Sequence, residues 1–334
     1  MKAIVMTTPG APDVLELQEV PTPKIENPTE ILVKLKAAGI NPIDTKLRQR
    51  GTFYPEQMPA ILGCDGAGIV EAVGSQVTTF KPGDKVYYCV GGLGKAGTGN
   101  YAEFAVVDVS LVARKPTSLS FAEAAAAPLV LITAWEALYD RGRLEAGQKV
   151  LIHAGAGGVG HVAIQLAKLK DAQVFTTVGS PDKERLVRQL GADCPILYKQ
   201  TDFVKTVLDW TDGEGVDLVF DTVGGKTFFD SCAAVRVYGD LVTILEPDPT
   251  VGNLKVARNR NLRISLELML TPALMGLENA QKQQGEILKQ CAILIDEGKL
   301  KIHLSRTYPL EEASIAHQAI ETGSITGKLA LAIA

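Results

Sequence analysis

The run Lys149-Val150-Leu151-Ile152-His153-Ala154-Gly155-Ala156-Gly157-Gly158-Val159-Gly160, followed by His161-Val162-Ala163-Ile164-Gln165-Leu166-Ala167, constrains the fold more than any other stretch. A short apolar strand-type run stops at a glycine-rich turn, and a helical pattern starts directly behind it. That order aims backbone N–H groups and the positive end of a helix dipole at one point, where a pyrophosphate can sit. Gly155, Gly157 and Gly160 match G-x-G-x-x-G, the pattern of a βαβ dinucleotide site. On that pattern Gly155 serves the tight turn, Gly157 admits phosphate to the backbone, and Gly160 lets helix and strand pack closely. Ala156, Gly158 and Val159 complete the turn. A bland glycine turn inside an α/β core has the same composition, so the flanking strand and helix give the motif its meaning.

The second strand of such a unit decides which dinucleotide is bound. An NAD site carries Asp or Glu about 20 residues on, at the strand's tip, to take the ribose 2′-hydroxyl. Here the run Gln173-Val174-Phe175-Thr176-Thr177-Val178 ends in Gly179-Ser180, with no carboxylate at its tip. Ser180 offers a hydrogen bond, and Lys183 lies one turn into the next helical stretch, where an ammonium can meet a 2′-phosphate. Asp182 suits the first turn of that helix. The pattern favours NADP(H); an ordinary solvated helix charge is the alternative for Lys183.

Along the 334 residues the patterning changes twice. Residues 1 to about 125 read as β-rich, with runs at 2–6, 14–20, 31–38, 68–73, 85–90 and 101–107 between Pro and Gly breaks. From 126 to 265 strands fall near 149–153, 173–178, 195–198, 216–221 and 240–245, with helical stretches between them. That alternation is the pattern of a parallel sheet covered on both faces. After 265 one helical stretch, 284–297, precedes strand-like runs at 303–308 and 328–332. The fold class is α/β with two domains. Periodicity does not separate a cofactor domain inserted into a discontinuous one from a cofactor domain followed by another.

Several function classes are excluded. A formal net charge of −4 and a pI near 5.7 leave no basic footprint for nucleic acid or an anionic membrane. The N-terminal run breaks too early for a signal peptide, and the most apolar stretch, 124–138, contains Pro128 and Glu136 and is too short to span a bilayer. A cytoplasmic protein is expected. Cys64, Cys89, Cys194, Cys232 and Cys291 lie far apart with no C-x-x-C, which fits a reducing compartment and neither a zinc ribbon nor a disulfide framework. The four histidines show no ligand spacing, and no G-x-S-x-G elbow appears.

Further motifs then fall into an ordered set: Ala37-Ala38-Gly39-Ile40-Asn41-Pro42-Ile43-Asp44, Gly63-Cys64-Asp65-Gly66-Ala67-Gly68-Ile69-Val70, Val73-Gly74 and Phe80-Lys81-Pro82-Gly83-Asp84-Lys85-Val86. Tyr101-Ala102-Glu103-Phe104, the glycine turn, Asp221-Thr222-Val223-Gly224-Gly225 and the closing Gly327-Lys328 continue it. The chain resembles the medium-chain dehydrogenase/reductase superfamily over nearly its whole length. The resemblance implies a GroES-like catalytic domain from residues 1–125 and 266–334, clasping a Rossmann NADP(H)-binding domain at 126–265.

Departures from the zinc alcohol dehydrogenases carry the functional expectation. Asn41 and Cys64 fall where the first two zinc ligands belong, Asp65 follows where those enzymes carry Glu, and only Cys89 lies in the region of their structural lobe. Zinc needs three or four N, S or O ligands, so no metal is expected. Cys64 reads as a buried small hydrophobe. Without a Lewis acid, alkoxide stabilisation is lost. The zinc-free branch resembled, the quinone oxidoreductases similar to zeta-crystallin, instead sends hydride from NADPH to a quinone or an α,β-unsaturated carbonyl. Such an acceptor spreads the incoming charge, and a few hydrogen-bond donors suffice to polarise it.

Asn41 matches the family's Asn as a donor to the substrate carbonyl or the nicotinamide ribose, and Asp44 follows at the family spacing to orient neighbours or a ribose hydroxyl rather than act as an acid. Arg50-Gly51-Thr52-Phe53-Tyr54-Pro55 resembles the substrate loop, where Tyr54 offers a ring wall and a phenolic donor, or else packs. Thr133 matches a domain-junction Thr near the nicotinamide; it equally suits a bond back to its own helix. The resemblance also places Tyr198 beside a 2′-phosphate, Lys328 near the cofactor, and Val223 and Leu245 beside the nicotinamide. A sheet-end aromatic and an exposed lysine are the alternatives for Tyr198 and Lys328. An enoyl-thioester reductase and a non-enzymatic NADPH-binding protein remain as other functions. The resemblance implies a homodimer paired through an edge of the Rossmann sheet, which 240–245 and 263–268 could supply.

Overall fold

The computed structural model describes residues 1–323 and 325–334. The chain divides into two compact units, one of residues 1–129, 272–298 and 302–334, the other of residues 130–271 and 299–301.

The first unit begins with β1 (Lys2–Met6), β2 (Leu15–Glu19), β3 (Glu30–Ile40), β4 (Ala60–Ile61), β5 (Asp65–Val73), β6 (Lys85–Cys89), β7 (Phe104–Asp108) and β8 (Val112–Arg114). β3 is the hub, antiparallel to β5 and to β7. Ile31, Val33 and Leu35 alternate inward along it, and from Ala37 to Ile40 every residue is buried. The strand therefore delivers Asn41 into the interior rather than to the surface. Pro42 then starts the helix Pro42–Arg50, which Asn41 and Asp44 close with a capping box.

The second unit is a parallel sheet of β9 (Lys149–Ile152), β10 (Gln173–Val178), β11 (Cys194–Leu197), β12 (Val216–Asp221), β13 (Val235–Thr243) and β14 (Arg263–Leu266). Its order is β11-β10-β9-β12-β13-β14. Counted from its own first strand this is the 3-2-1-4-5-6 order of the Rossmann fold, which reverses between β9 and β12. Leu151, Phe175, Ile196, Val219 and Leu241 meet in one core cluster. The strands are apolar on both sides because helices cover both faces.

The chain then returns to the first unit, where β15 (Leu304–Pro309) and β16 (Lys328–Ala332) extend the large sheet to the order β15-β16-β3-β5-β6-β8. The fold class is α/β: one unit is β-rich and the other is a Rossmann sheet. The helix expected at 284–297 runs from Glu278 to Asp296. Its first turns, Glu278-Asn279-Ala280-Gln281-Lys282-Gln283, carry almost no apolar residue, so periodicity does not reveal them. The run expected at 101–107 becomes β7 only from Phe104, because the backbone at 101–102 pairs instead with Leu62, Ile4 and Ala3. Among the described residues no helix is long and apolar enough to cross a membrane.

Candidate active site

At the carboxyl end of β9 the chain turns through Ala154, which takes a φ of 49°, and reaches the helix Gly160–Leu169. The three glycines do different things. A Cβ on Gly155 would lie 2.0 Å from Thr176 Oγ1, and one on Gly160 would lie 2.3 Å from Ala154 O. Both are needed for the turn to pack against strand and helix. A Cβ on Gly157 would meet only Ala154, at 3.1 Å from its carbonyl oxygen, so this position faces open space. Among the described residues, the N–H groups of Ala156, Gly158 and Val159 donate to no protein acceptor. Unpaired N–H groups at a helix N-terminus, over a residue with no side chain, fit a dinucleotide pyrophosphate.

The neighbouring strand ends carry the side chains. Ser180 caps the helix Pro181–Gln189, its Oγ accepting from Lys183 N–H at 3.4 Å. Lys183 thus stands in the first turn, and Asp182 is engaged by Arg185. Tyr198 follows β11 directly and is half exposed, with its hydroxyl 3.3 Å from where a Cβ on Gly179 would be. Of these residues Tyr198 borders a cleft of about 930 Å³ at the strand ends, lined also by His153, Thr177, Lys199, Phe203 and Val223. That volume is in the range of small-molecule sites. His153 forms its floor, bonded to Thr177 Oγ1 at 3.1 Å and Ser231 Oγ at 2.8 Å. Burial pulls this imidazole down to about 4 against the opposing charge of Asp221, so it is neutral at pH 7. Asp221 accepts from the N–H groups of Val223 and Gly224 at 3.0 and 2.9 Å, and Leu245 packs on Gly224.

In the first unit a second group of polar residues converges, all of it buried. Asn41 donates its side-chain amide to Asp65 Oδ2 at 2.8 Å, while its Oδ1 accepts from the Lys328 ammonium. Lys328 also donates to Ile40 O at 2.8 Å, and Asp65 Oδ1 accepts from Leu129 N–H at 2.9 Å. Asp44 Oδ2 takes the Asn41 backbone N–H at 2.8 Å and the Tyr101 hydroxyl at 3.1 Å. Tyr101 in turn lies 3.2 Å from His317 Nε2. Burial pushes the Asp44 carboxyl up to about 7, with the Asn41 N–H opposing and Asp65 adding to the rise. Burial likewise raises Asp65, against the pull of Lys328 and Asn41, and lowers the Lys328 ammonium, against the two carboxylates. The Cys64 thiol sits 3.9 Å from Asp44 Oδ1 and is pushed up by burial and then by that carboxylate.

The alcohol dehydrogenase GroES-like domain matches residues 27–117, and a zinc-binding dehydrogenase domain matches residues 190–331. A quinone oxidoreductase of Pseudomonas aeruginosa is 35% identical over 99% of both chains. A 2-methylene-furan-3-one reductase of Solanum lycopersicum is 34% identical over 99% of this chain and 79% of its own. The Escherichia coli quinone oxidoreductase, solved in complex with NADPH, superposes with a TM-score of 0.86 at 30% identity over 100% of both chains. The chain belongs to the quinone oxidoreductase family of medium-chain dehydrogenases/reductases.

It is an oxidoreductase of a nicotinamide cofactor. Within this family member the expected residues divide sharply by exposure. Asn41 and Asp44 are fully buried, whereas Tyr54 is half-buried and Phe53 beside it is 48% exposed. Thr133 is buried in the helix Pro128–Trp135. Lys328, with an exposed lysine as the sequence alternative, is buried with its ammonium turned to Asn41 and Ile40. Sequence reasoning passed over His153, Tyr101 and His317. For Tyr101 the available signal was its place in Tyr101-Ala102-Glu103-Phe104; the two histidines carry no local motif.

Proposed function

We propose that this quinone oxidoreductase transfers hydride from NADPH to a quinone or an α,β-unsaturated carbonyl without a catalytic metal. The observation that carries the cofactor choice is the tip of β10, where Gly179-Ser180 stands without a carboxylate and Lys183 and Tyr198 flank it. Residues 155–160 would hold the pyrophosphate through backbone N–H groups, Ser180, Lys183 and Tyr198 the 2′-phosphate, and Val223 and Leu245 would shape the nicotinamide seat. A bound dihydronicotinamide supplies the hydride. Tyr54, which reaches solvent, polarises the acceptor oxygen, while Asn41 and Asp44 act from beneath by fixing the helix that leads to its loop. Thr133 completes the cofactor side.

The donor set around Asn41 supports the metal-free reading. A zinc ligand must be a thiolate or carry a free lone pair. The Cys64 thiol already faces Asp44 Oδ1 at 3.9 Å, and the oxygen of Asn41 already faces an ammonium. The relative acting on a furanone with an exocyclic methylene gives precedent in the family for an enone acceptor.

The test is oxidation of NADPH and of NADH by chelator-treated enzyme, with 9,10-phenanthrenequinone, a short enone and crotonyl-CoA as separate acceptors. Turnover that favours NADPH and survives chelation is expected with the quinone or the enone. Loss on chelation overturns the metal-free reading, and preference for crotonyl-CoA moves the substrate to an enoyl thioester.

We also infer a homodimer, joined along β14, one of the two edge strands of the Rossmann sheet, where Leu266 and, just beyond it, Leu268 stand more than half exposed. The stretch 240–245, expected to share that edge, belongs to β13 and its continuation, and β13 is paired on both sides. Light scattering that returns a monomer overturns it. All five cysteines are free, as the reducing cytoplasm proposed for the protein requires.

A further inference from the structure

We propose that Lys328 and Asp65 are positioning residues for the acceptor side of the reaction, acting through Asn41 to seat the helix that leads into the Phe53–Tyr54 loop. The inference rests on the reading that Tyr54 faces the acceptor.

A carboxamide is nearly symmetrical in shape, so its two ends are told apart only by their partners. An ammonium has donors and no acceptor, so Lys328 must face Oδ1. Both oxygens of Asp65 accept N–H groups, from Asn41 at 2.8 Å and from Leu129 at 2.9 Å, so Asp65 must face Nδ2. A turned amide would set NH2 against ammonium and oxygen against carboxylate. The pair therefore holds Asn41 in one sense only. The three residues come from the ends of β3, β5 and β16, and the two contacts span 24 and 287 residues of sequence.

What is fixed is the start of a short lever. Asn41 is the N-cap of Pro42–Arg50, with its own N–H on Asp44 at 2.8 Å. After nine helical residues the helix stops at Gly51, whose N–H donates to Leu47 O at 3.0 Å, and the chain enters Thr52-Phe53-Tyr54. The far end is tied separately by Arg48 and Glu321. Stability alone does not call for such a lock, because a buried ion pair seldom outperforms apolar packing of the same volume. An exact seat for the cap does call for it, since the ammonium and the carboxylate both enforce the amide sense in which the Asn41 oxygen also serves the capping box.

The test is a set of mutant cycles read in kcat, acceptor KM and NADPH binding on the full-length enzyme. Lys328→Met and Asp65→Asn should each lower kcat roughly 10- to 100-fold, while the NADPH Kd stays within about threefold. Lys328→Arg, which keeps a cationic donor, should restore most of kcat. The deciding arm is the Asn41→Ala background, where Lys328→Met should cost nothing more. A residue that merely supported the fold would subtract the same factor in both backgrounds, and that result overturns the proposal. Lys328→Gln carries the same cycle if Lys328→Met does not fold. If the wild type turns over no acceptor, the substrate reading fails instead. A urea-unfolding cycle between Lys328→Gln and Asn41→Ala then decides the lock, and additivity overturns it.

Discussion

In the Rossmann unit the candidate cofactor seat is made of backbone: the N–H groups of consecutive residues, bared by glycines whose contribution is what they lack. In the GroES-like unit the polar atoms belong to side chains at 41, 44, 65, 101, 317 and 328, brought together from separate segments and buried. The two constructions fail in opposite ways. A backbone cradle is broken by adding an atom, because its walls are other backbone atoms that cannot step aside. A buried charged cluster is broken by removing an atom or moving a proton, because each group is there only on account of its partners.

The largest effect should come from adding one carbon to the cradle. Gly160→Ala sets a Cβ 2.3 Å from Ala154 O and 2.7 Å from Gly155 Cα, both of them backbone. Overpacking of this kind costs about 3 kcal/mol, and NADPH binding should disappear with it. Gly157→Ala meets only Ala154, so thermal stability should change by less than about 1 kcal/mol while NADPH affinity falls tenfold or more. Calorimetry beside an NADPH titration separates the two glycines. A Gly157→Ala protein that binds NADPH like the wild type would show that the pyrophosphate does not lie over this residue.

Moving a proton in the cluster comes next. Asp44 is raised to about 7 from the ordinary aspartate value of 3.8, chiefly by burial. Between those values the folded state holds a proton that the unfolded chain has released, so stability falls as pH rises through this window and levels off above it. From pH 5 to pH 8 the loss is about 2–3 kcal/mol for a shift of this size. Asp44→Asn keeps an oxygen for the two donors now on Oδ2, the Asn41 N–H and the Tyr101 hydroxyl, and cannot ionise. Its denaturation midpoint should therefore lack that slope. Parallel pH profiles for the two proteins would refute the assignment.

The same contrast explains what was legible in the chain. The glycine turn is contiguous, and its chemistry is carried by backbone, so strand, turn and helix could be read together from 149 to 167; β10 and β12 even fall on their expected bounds. The lock on Asn41 was not legible, because no local pattern records that residues 41, 65 and 328 meet. The family resemblance places Lys328 near the cofactor, and only the pairing of β16 with β3 turns it toward Asn41. Asp65 drew notice solely as a departure from a metal-binding pattern. Tyr101 looked like a strand residue, since nothing nearby marks a hydroxyl destined for Asp44.

The smallest effect tests the one point at which the backbone seat depends on a side-chain charge. Lys183→Ala leaves the backbone N–H that donates to Ser180 Oγ, and alanine is a good helix former, so the cap and the helix Pro181–Gln189 should stand. Only the ammonium is lost. NADPH should then bind about tenfold more weakly, roughly 1.4 kcal/mol, with NADH unaffected, and the wild-type preference for NADPH should itself shrink as salt is raised. Ser180→Asp approaches the same point from the other side. An aspartate also caps a helix, but here it brings a carboxylate to the tip of β10, where it would repel a 2′-phosphate and accept from a 2′-hydroxyl. That variant should prefer NADH. If Lys183→Ala weakens both cofactors equally, the residue senses charge common to both, and discrimination between them must lie with Ser180 and Tyr198.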